Sequence, residues 1–250
     1  LDLVEPDQEF SVADYQAVAR RLIREINERN RLPILVGGTG LYYQAVVDDY
    51  ELPTLPKRPD IRQELNRQAD ELGSAVLYKR LQDVDPAAAR KITPNDRKRI
   101  IRALEVIEIS GRKFSEMQGK KANRYDLAAV GLTLPRPVLY RKLEERVDEM
   151  IKEGLVDEVR NLQKRGYSSE LNSMKALGYA QIIRYLEGEI TLEAAINEIK
   201  RDTRRYAKRQ MTWFSRDSRI TWFNLVEYKE EEAVGKICEY IRRTIKSGVE

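Results

Sequence analysis

The chain has 250 residues, 42% of them hydrophobic and 34% charged, with 45 Lys and Arg against 41 Asp and Glu. That balance describes a globular protein with a heavily ionised surface, large enough for one domain or two small ones, and excludes a disordered chain. The residues include no histidine, one cysteine and no apolar run near the ~20 residues that cross a bilayer, which excludes Ser-His and Cys-His nucleophile pairs, histidine-bearing zinc sites and an internal disulfide.

In chain order, FSVADYQAVARRLIREINERN places apolar residues at helical spacing behind Ser11 and predicts an N-capped helix. RLPILVGGTG follows, a short apolar run broken by glycines, so that residues 33–49 read as strand, Gly-rich turn and helix. Pro53, Pro56 and Pro59 mark a boundary, after which DIRQELNRQADELGSAVLYKRLQDVD is charged and helical. PNDRKRIIRALEVIEISGR predicts a helix capped by Asn95 or Asp96, with Ile100, Ile101, Leu104 and Ile107 as its apolar stripe and Gly111 at its end. LAAVGLTL reads as a buried strand, VLYRKLEERVDEMIKEG as a helix, and a shorter helix ends near Gly166. KALGYAQIIRYLEG, a long helix from Thr191 to about Phe214, a strand in RITWFNLV and a closing helix through Ile241 complete the chain. Cys238 falls at a helical position and is expected as a small buried hydrophobe. Strands alternating with helices give an α/β class, with a mainly parallel sheet covered by helices.

The positive charge is concentrated. Residues 200–219 hold eight Lys or Arg and two Asp, residues 90–102 hold six and one, and the remainder is net acidic. Clustering of this kind is the footprint of a polyanionic partner. Arg97, Lys98, Arg99 and Arg102 stand in the first turns of a helix, where the dipole disfavours each exposed cation by about 0.3–1 kcal/mol. Either the run is a solvated face relieved by Asp96, or a phosphate or pyrophosphate sits there. VGGTG, at the end of a strand and the start of a helix, has two readings as well: glycines serving turn conformation alone, or a backbone left open to an anion, with the Thr39 hydroxyl beside it. No Walker A pattern occurs in these residues. On a helical wheel, Arg204, Arg205, Lys208, Arg209 and Arg216 separate from Tyr206, Gln210, Trp213 and Phe214, which favours core packing over base stacking for the aromatics and leaves the cations as a surface open to a phosphate backbone.

Four stretches, LVGGTGLYYQAVV, DPAAARKITPNDRKRIIRALEVIEISGR, KALGYAQIIRYLEGEI and TRRYAKRQMTWFSR, together resemble the tRNA dimethylallyltransferases, or tRNA isopentenyltransferases, across nearly the whole chain. The resemblance implies a P-loop-kinase-like core, residues 1–52 and 123–250, and a mainly helical insertion, residues 53–122, that grips the anticodon stem. It implies Mg2+, dimethylallyl diphosphate and the tRNA anticodon stem-loop as cofactor and partners, and a cytoplasmic monomer. The reaction implied is transfer of a prenyl group to N6 of the adenosine 3′ of the anticodon. LDLVEPDQEFSVADY is similar to the family segment that follows the P-loop and the general-base aspartate, so both are expected upstream of Leu1.

Residue by residue, the resemblance places Thr39, Arg62, Lys98, Arg99, Ile100, Ile101 and Arg102 at the substrate tRNA. Lys175, Ala176, Leu177, Gly178 and Tyr179 form a further tRNA stretch, and Lys208, Arg209, Gln210, Met211, Thr212, Trp213 and Phe214 another. Gly37, Gly38, Lys98 and Arg204 are the diphosphate candidates, with Thr39 and Arg204 supporting catalysis. The family often carries arginine where this chain has Ala180 and Ser215. Two alternatives remain at this point: an adenylate isopentenyltransferase acting on free nucleotides, which needs no such wide cationic surface, and a noncatalytic RNA-binding module.

Overall fold

A computed structural model describes residues 3–52, 55–56, 58–117, 119 and 125–245. The elements are, in order, α1 (Val12–Glu28), α2 (Gly40–Val47), α3 (Pro59–Leu72), α4 (Ser74–Val84), α5 (Pro86–Ala89) and α6 (Arg97–Ser110). After a 3-10 turn at Phe114–Met117 come β1 (Ala129–Thr133), α7 (Arg136–Lys152), α8 (Leu155–Lys164), α9 (Tyr179–Leu186), α10 (Leu192–Phe214), β2 (Ile220–Asn224) and α11 (Glu230–Thr244). The chain divides into two compact units, Leu1–Tyr43 with Tyr125–Glu250, and Gln44–Arg124. The boundaries expected at 53 and at 122–123 lie outside the described residues.

Local chemistry sets most helix ends. Ser11 and Asp14 form a capping box at α1, Thr191 accepts from the Ala194 amide at α10, and Asp96 accepts from the Arg99 amide at α6, whose far end closes on Gly111 in the left-handed region. In the second unit, α3 to α6 enclose Leu65, Leu77, Leu81, Ile100, Ala103 and Leu104 as one core. In the first, Val147 of α7, Val159 of α8, Ile182 and Ile183 of α9 and Ile199 of α10 pack with Met174 as another. Burying each such side chain contributes about 1.5–3 kcal/mol. β1 and β2 pair in parallel, from Ala129 opposite Ile220 to Thr133 opposite Asn224. A parallel pair needs a crossover, supplied here by the helices from α7 to α10.

Two expectations are corrected. Residues 31–37 form no strand, and Ile34 is 75% and Val36 87% exposed. Composition makes this run a strand, but among the described residues no strand lies beside it to exchange backbone hydrogen bonds. Cys238 is exposed, because α11 turns Ala233 and, more partially, Ile237, Tyr240 and Ile241 inward instead.

Candidate functional site

In the first unit the Gly-rich turn is braced by the C-terminal part of α10. Gln210 donates from Nε2 to the Gly38 carbonyl at 2.9 Å, Tyr43 meets Phe214 edge to face with centroids 5.7 Å apart, and the Tyr43 hydroxyl donates to Asp217 at 3.3 Å. A Cβ at Gly38 would run into the Gln210 carboxamide, and one at Gly40 into the Trp213 indole. Gly38 and Gly40 therefore serve close approach to α10, whereas a Cβ at Gly37 would meet open space. On the other side Tyr15 of α1 stacks on Tyr42 at 4.6 Å. Residues 35–39 with Tyr15, Tyr42 and Tyr43 line a cleft of about 190 Å³ beside the first turn of α2. Asp217 also takes both Arg219 guanidinium nitrogens and the Arg219 amide. Hydrogen bonds from Arg219 outweigh the effect of burial and hold its carboxyl below the usual range.

Ion pairing divides the cations of α10 into two sets. Arg201 and Arg205 pair with Asp202, and Arg204 pairs with Glu144 of α7. Further along, Lys208, Arg209 and Arg216 are exposed and have no carboxylate partner among the described residues. Arg209 lies over the Tyr206 ring at 5.7 Å. The aromatic face is narrower than the wheel suggests: Ala207 is buried and Gln210 and Phe214 are half-buried, whereas Tyr206 and Trp213 are more than a third exposed. Tyr206 is thus not a core anchor, since the buried line of α10 runs through Ile199, Ala207 and Phe214 and leaves residue 206 on its flank. Met211 and Thr212 are also exposed.

Of the stretch from Lys175 to Tyr179, Lys175, Ala176 and Leu177 are exposed ahead of α9, while Gly178 is buried. Lys175 pairs with Glu170 at 2.8 Å, and the Tyr179 hydroxyl hydrogen-bonds Glu158. Burial first, then that carboxylate, pushes the Tyr179 phenol up to about 12.

In the helical unit the basic N-terminus of α6 is largely neutralised by its own neighbours. Arg97 pairs with Asp70 at 2.5 Å, Arg99 with Asp96 at 3.3 Å and Arg102 with Glu105 at 2.8 Å. Lys98 alone of the four has no carboxylate partner among the described residues. Arg62 of α3 takes Glu105 in a two-point fork, Nε to Oε1 at 3.0 Å and Nη2 to Oε2 at 2.9 Å. Burial pushes the Glu105 carboxyl up, but its bonds to Arg62 and Arg102 prevail and leave it below its ordinary value. Ile100 and Ile101 are core residues, 0% and 5% exposed, so their side chains are not available to tRNA; the α6 stripe that buries them leaves Lys98, Arg99 and Arg102 outside. Glu105, Glu144 and Asp217 escape a sequence reading that follows cations, and Arg219 enters it only as a charge in the basic window, not as the partner of Asp217. The available sign of Glu105 was a carboxylate set against the apolar stripe, between Leu104 and Val106.

A family model described as IPP transferase matches residues 1–217. The tRNA dimethylallyltransferase of Syntrophomonas wolfei is 50% identical over 242 residues, covering 96% of this chain and 78% of the relative. That of Moorella thermoacetica is 49% identical, covering 100% and 78%. The crystal structure of the full-length tRNA isopentenylpyrophosphate transferase of Bacillus halodurans is similar with a TM-score of 0.70 at 41% identity, covering 98% of this chain and 77% of that one. The fold and these likenesses define an α/β enzyme of prenyl transfer. The chain belongs to the IPP transferase family.

Proposed function

We propose that this protein transfers the dimethylallyl group of dimethylallyl diphosphate to N6 of the adenosine 3′-adjacent to the anticodon of tRNA, releasing diphosphate. The observation that carries the reading is the 50% identity, over 96% of the chain, to a relative named tRNA dimethylallyltransferase. N6 attacks C1 of the donor, the C1–O bond breaks with its electron pair leaving on diphosphate, and the N6 proton passes to a base. The family resemblance makes an aspartate the expected base.

The chain's own residues act in recognition. Exposed Lys208, Arg209 and Lys98 suit the tRNA phosphate backbone, and the half-exposed Arg62 and Arg102 join them. Ala176, Leu177, Met211 and Thr212 fall on open surface in the two remaining tRNA stretches. Gly37, Gly38 and Thr39 lie at the N-terminus of α2, which favours an anion. Arg204 is paired with Glu144, so a diphosphate there competes with a carboxylate. Magnesium suits a diphosphate leaving group. Among the described residues no three Asp, Glu, Cys or His side chains cluster to hold it. No described helix is long and apolar enough to cross a membrane. The likeness to tRNA dimethylallyltransferases supports a protein that works where tRNA is modified, in the cytoplasm, and as a monomer.

The test is incubation of the full-length protein with Mg2+, labelled dimethylallyl diphosphate and undermodified tRNA. Label in the adenosine beside the anticodon is expected; a tRNA left unlabelled overturns the reading.

A further inference from the structure

We propose that Glu105 is a positioning residue for tRNA: a buried carboxylate that aims the guanidinium groups of Arg62 and Arg102 at the phosphates of the stem. The inference rests on the reading of this helical unit as a tRNA surface. Glu105 stands on the buried side of α6 with its side chain 5% exposed, while Arg62 and Arg102 remain 53% and 43% exposed. The cluster is thus closed beneath and open above. A buried carboxylate is costly unless fully bonded, and here three guanidinium nitrogens from two helices satisfy it.

The geometry favours orientation over neutralisation. Arg62 grips both Glu105 oxygens, which fixes the plane of its guanidinium as well as its place. Arg102 donates to the same Oε2 and lies one helical turn beyond Lys98, whose ammonium has no carboxylate partner among the described residues. Two long side chains that would otherwise sample many rotamers are ordered before RNA arrives, which reduces the entropy lost on binding. The trio retains a net positive charge, and Lys98, Arg102 and Arg62 together form the face offered to a phosphate backbone.

The sign of one substitution separates this from plain electrostatics. Glu105→Gln removes a negative charge beside the proposed RNA surface, so charge counting alone makes tRNA bind more tightly. Loss of positioning makes it bind more weakly. The full-length Glu105→Gln, Arg62→Ala, double and Lys98→Ala variants are compared with the wild type by tRNA binding across a salt series, by kcat and KM for both substrates, and by thermal melting. Glu105→Gln is expected to raise the tRNA Kd and KM about tenfold, with kcat and the donor KM unchanged, and to add little in the Arg62→Ala background.

Unchanged or tighter binding by Glu105→Gln, with Lys98→Ala weakened, overturns the positioning role and leaves the tRNA surface standing. If Lys98→Ala and Arg62→Ala also bind as the wild type does, the surface reading fails and the proposal falls with it. Should Glu105→Gln melt below the assay temperature, Arg62→Lys takes its place, since lysine keeps the charge and loses the fork. Weakened binding by that variant supports positioning, and wild-type affinity overturns it.

Discussion

The Gln210 side chain donates to the Gly38 carbonyl at 2.9 Å, so that the basic helix α10 and the Gly-rich turn are joined by a hydrogen bond where they approach closely at Gly38. Gly38→Ala pushes aside the Gln210 carboxamide, the far end of a flexible side chain, and is expected to cost about 1 kcal/mol through the hydrogen bond it breaks. Gln210→Ala should cost about 1 kcal/mol. Because the smaller residue removes the obstacle, the double variant should lose less than the sum of the two, measured by urea denaturation.

Lys208→Glu with Arg209→Glu should weaken tRNA binding and lower its salt dependence by about one unit of slope per lost phosphate contact. Both side chains are exposed, so the melting temperature should stay near that of the wild type. Arg201→Ala serves as the comparison, because its guanidinium is already occupied by Asp202. A salt series of binding constants that ranks Arg201→Ala with the double variant contradicts the division of α10 into paired and unpaired cations.

Acid should unfold this protein in part through two carboxylates held low by the fold, buried Asp85 and half-buried Asp217. Asp85 accepts from the Ala88 amide and from both the amide and hydroxyl of Ser115; burial pushes its carboxyl up, but those bonds prevail and hold it low. Asp217 is held low chiefly by Arg219. With folded pKa values below the ~3.9 of an unfolded aspartate, the native state binds fewer protons there. Their stabilisation is present above about pH 4 and lost as pH falls through the folded values. Asp85→Asn should lower stability at pH 7 and flatten the acid limb, seen in urea melts from pH 7 down to about 2.5.

Leu104→Ala, at a site 1% exposed in the helical core, should destabilise by about 2–5 kcal/mol. Ile100→Val beside it should cost about 0.5–1.5 kcal/mol and leave the tRNA Kd of the folded protein unchanged. A raised tRNA Kd for folded Ile100→Val would return that residue to the interface.

Much of the architecture was legible in the residues. Ser11, Asp96 and Thr191 cap helices because their side chains accept from amides within the same turn, and Gly111 ends α6 because glycine takes a positive φ readily. Residues 33–36 suit a strand by apolar composition yet form none, because a strand exists only where a neighbour supplies its hydrogen bonds. Tyr206 and Cys238 were misplaced for a related reason: a wheel gives the angle between residues and does not say where the neighbouring element sits.

The linear chain determined the helix ends, the two basic windows and the motifs that place it in its family, because capping, charge density and motif order act through residues close in sequence. Only the tertiary structure decided which cations are spent on partners. Arg204 meets Glu144, Arg97 meets Asp70 and Arg62 meets Glu105, leaving Lys98, Lys208 and Arg209 without a carboxylate among the described residues. An ion pair depends on a distance of a few ångströms between side chains far apart in sequence, and packing of one helix on another sets that distance.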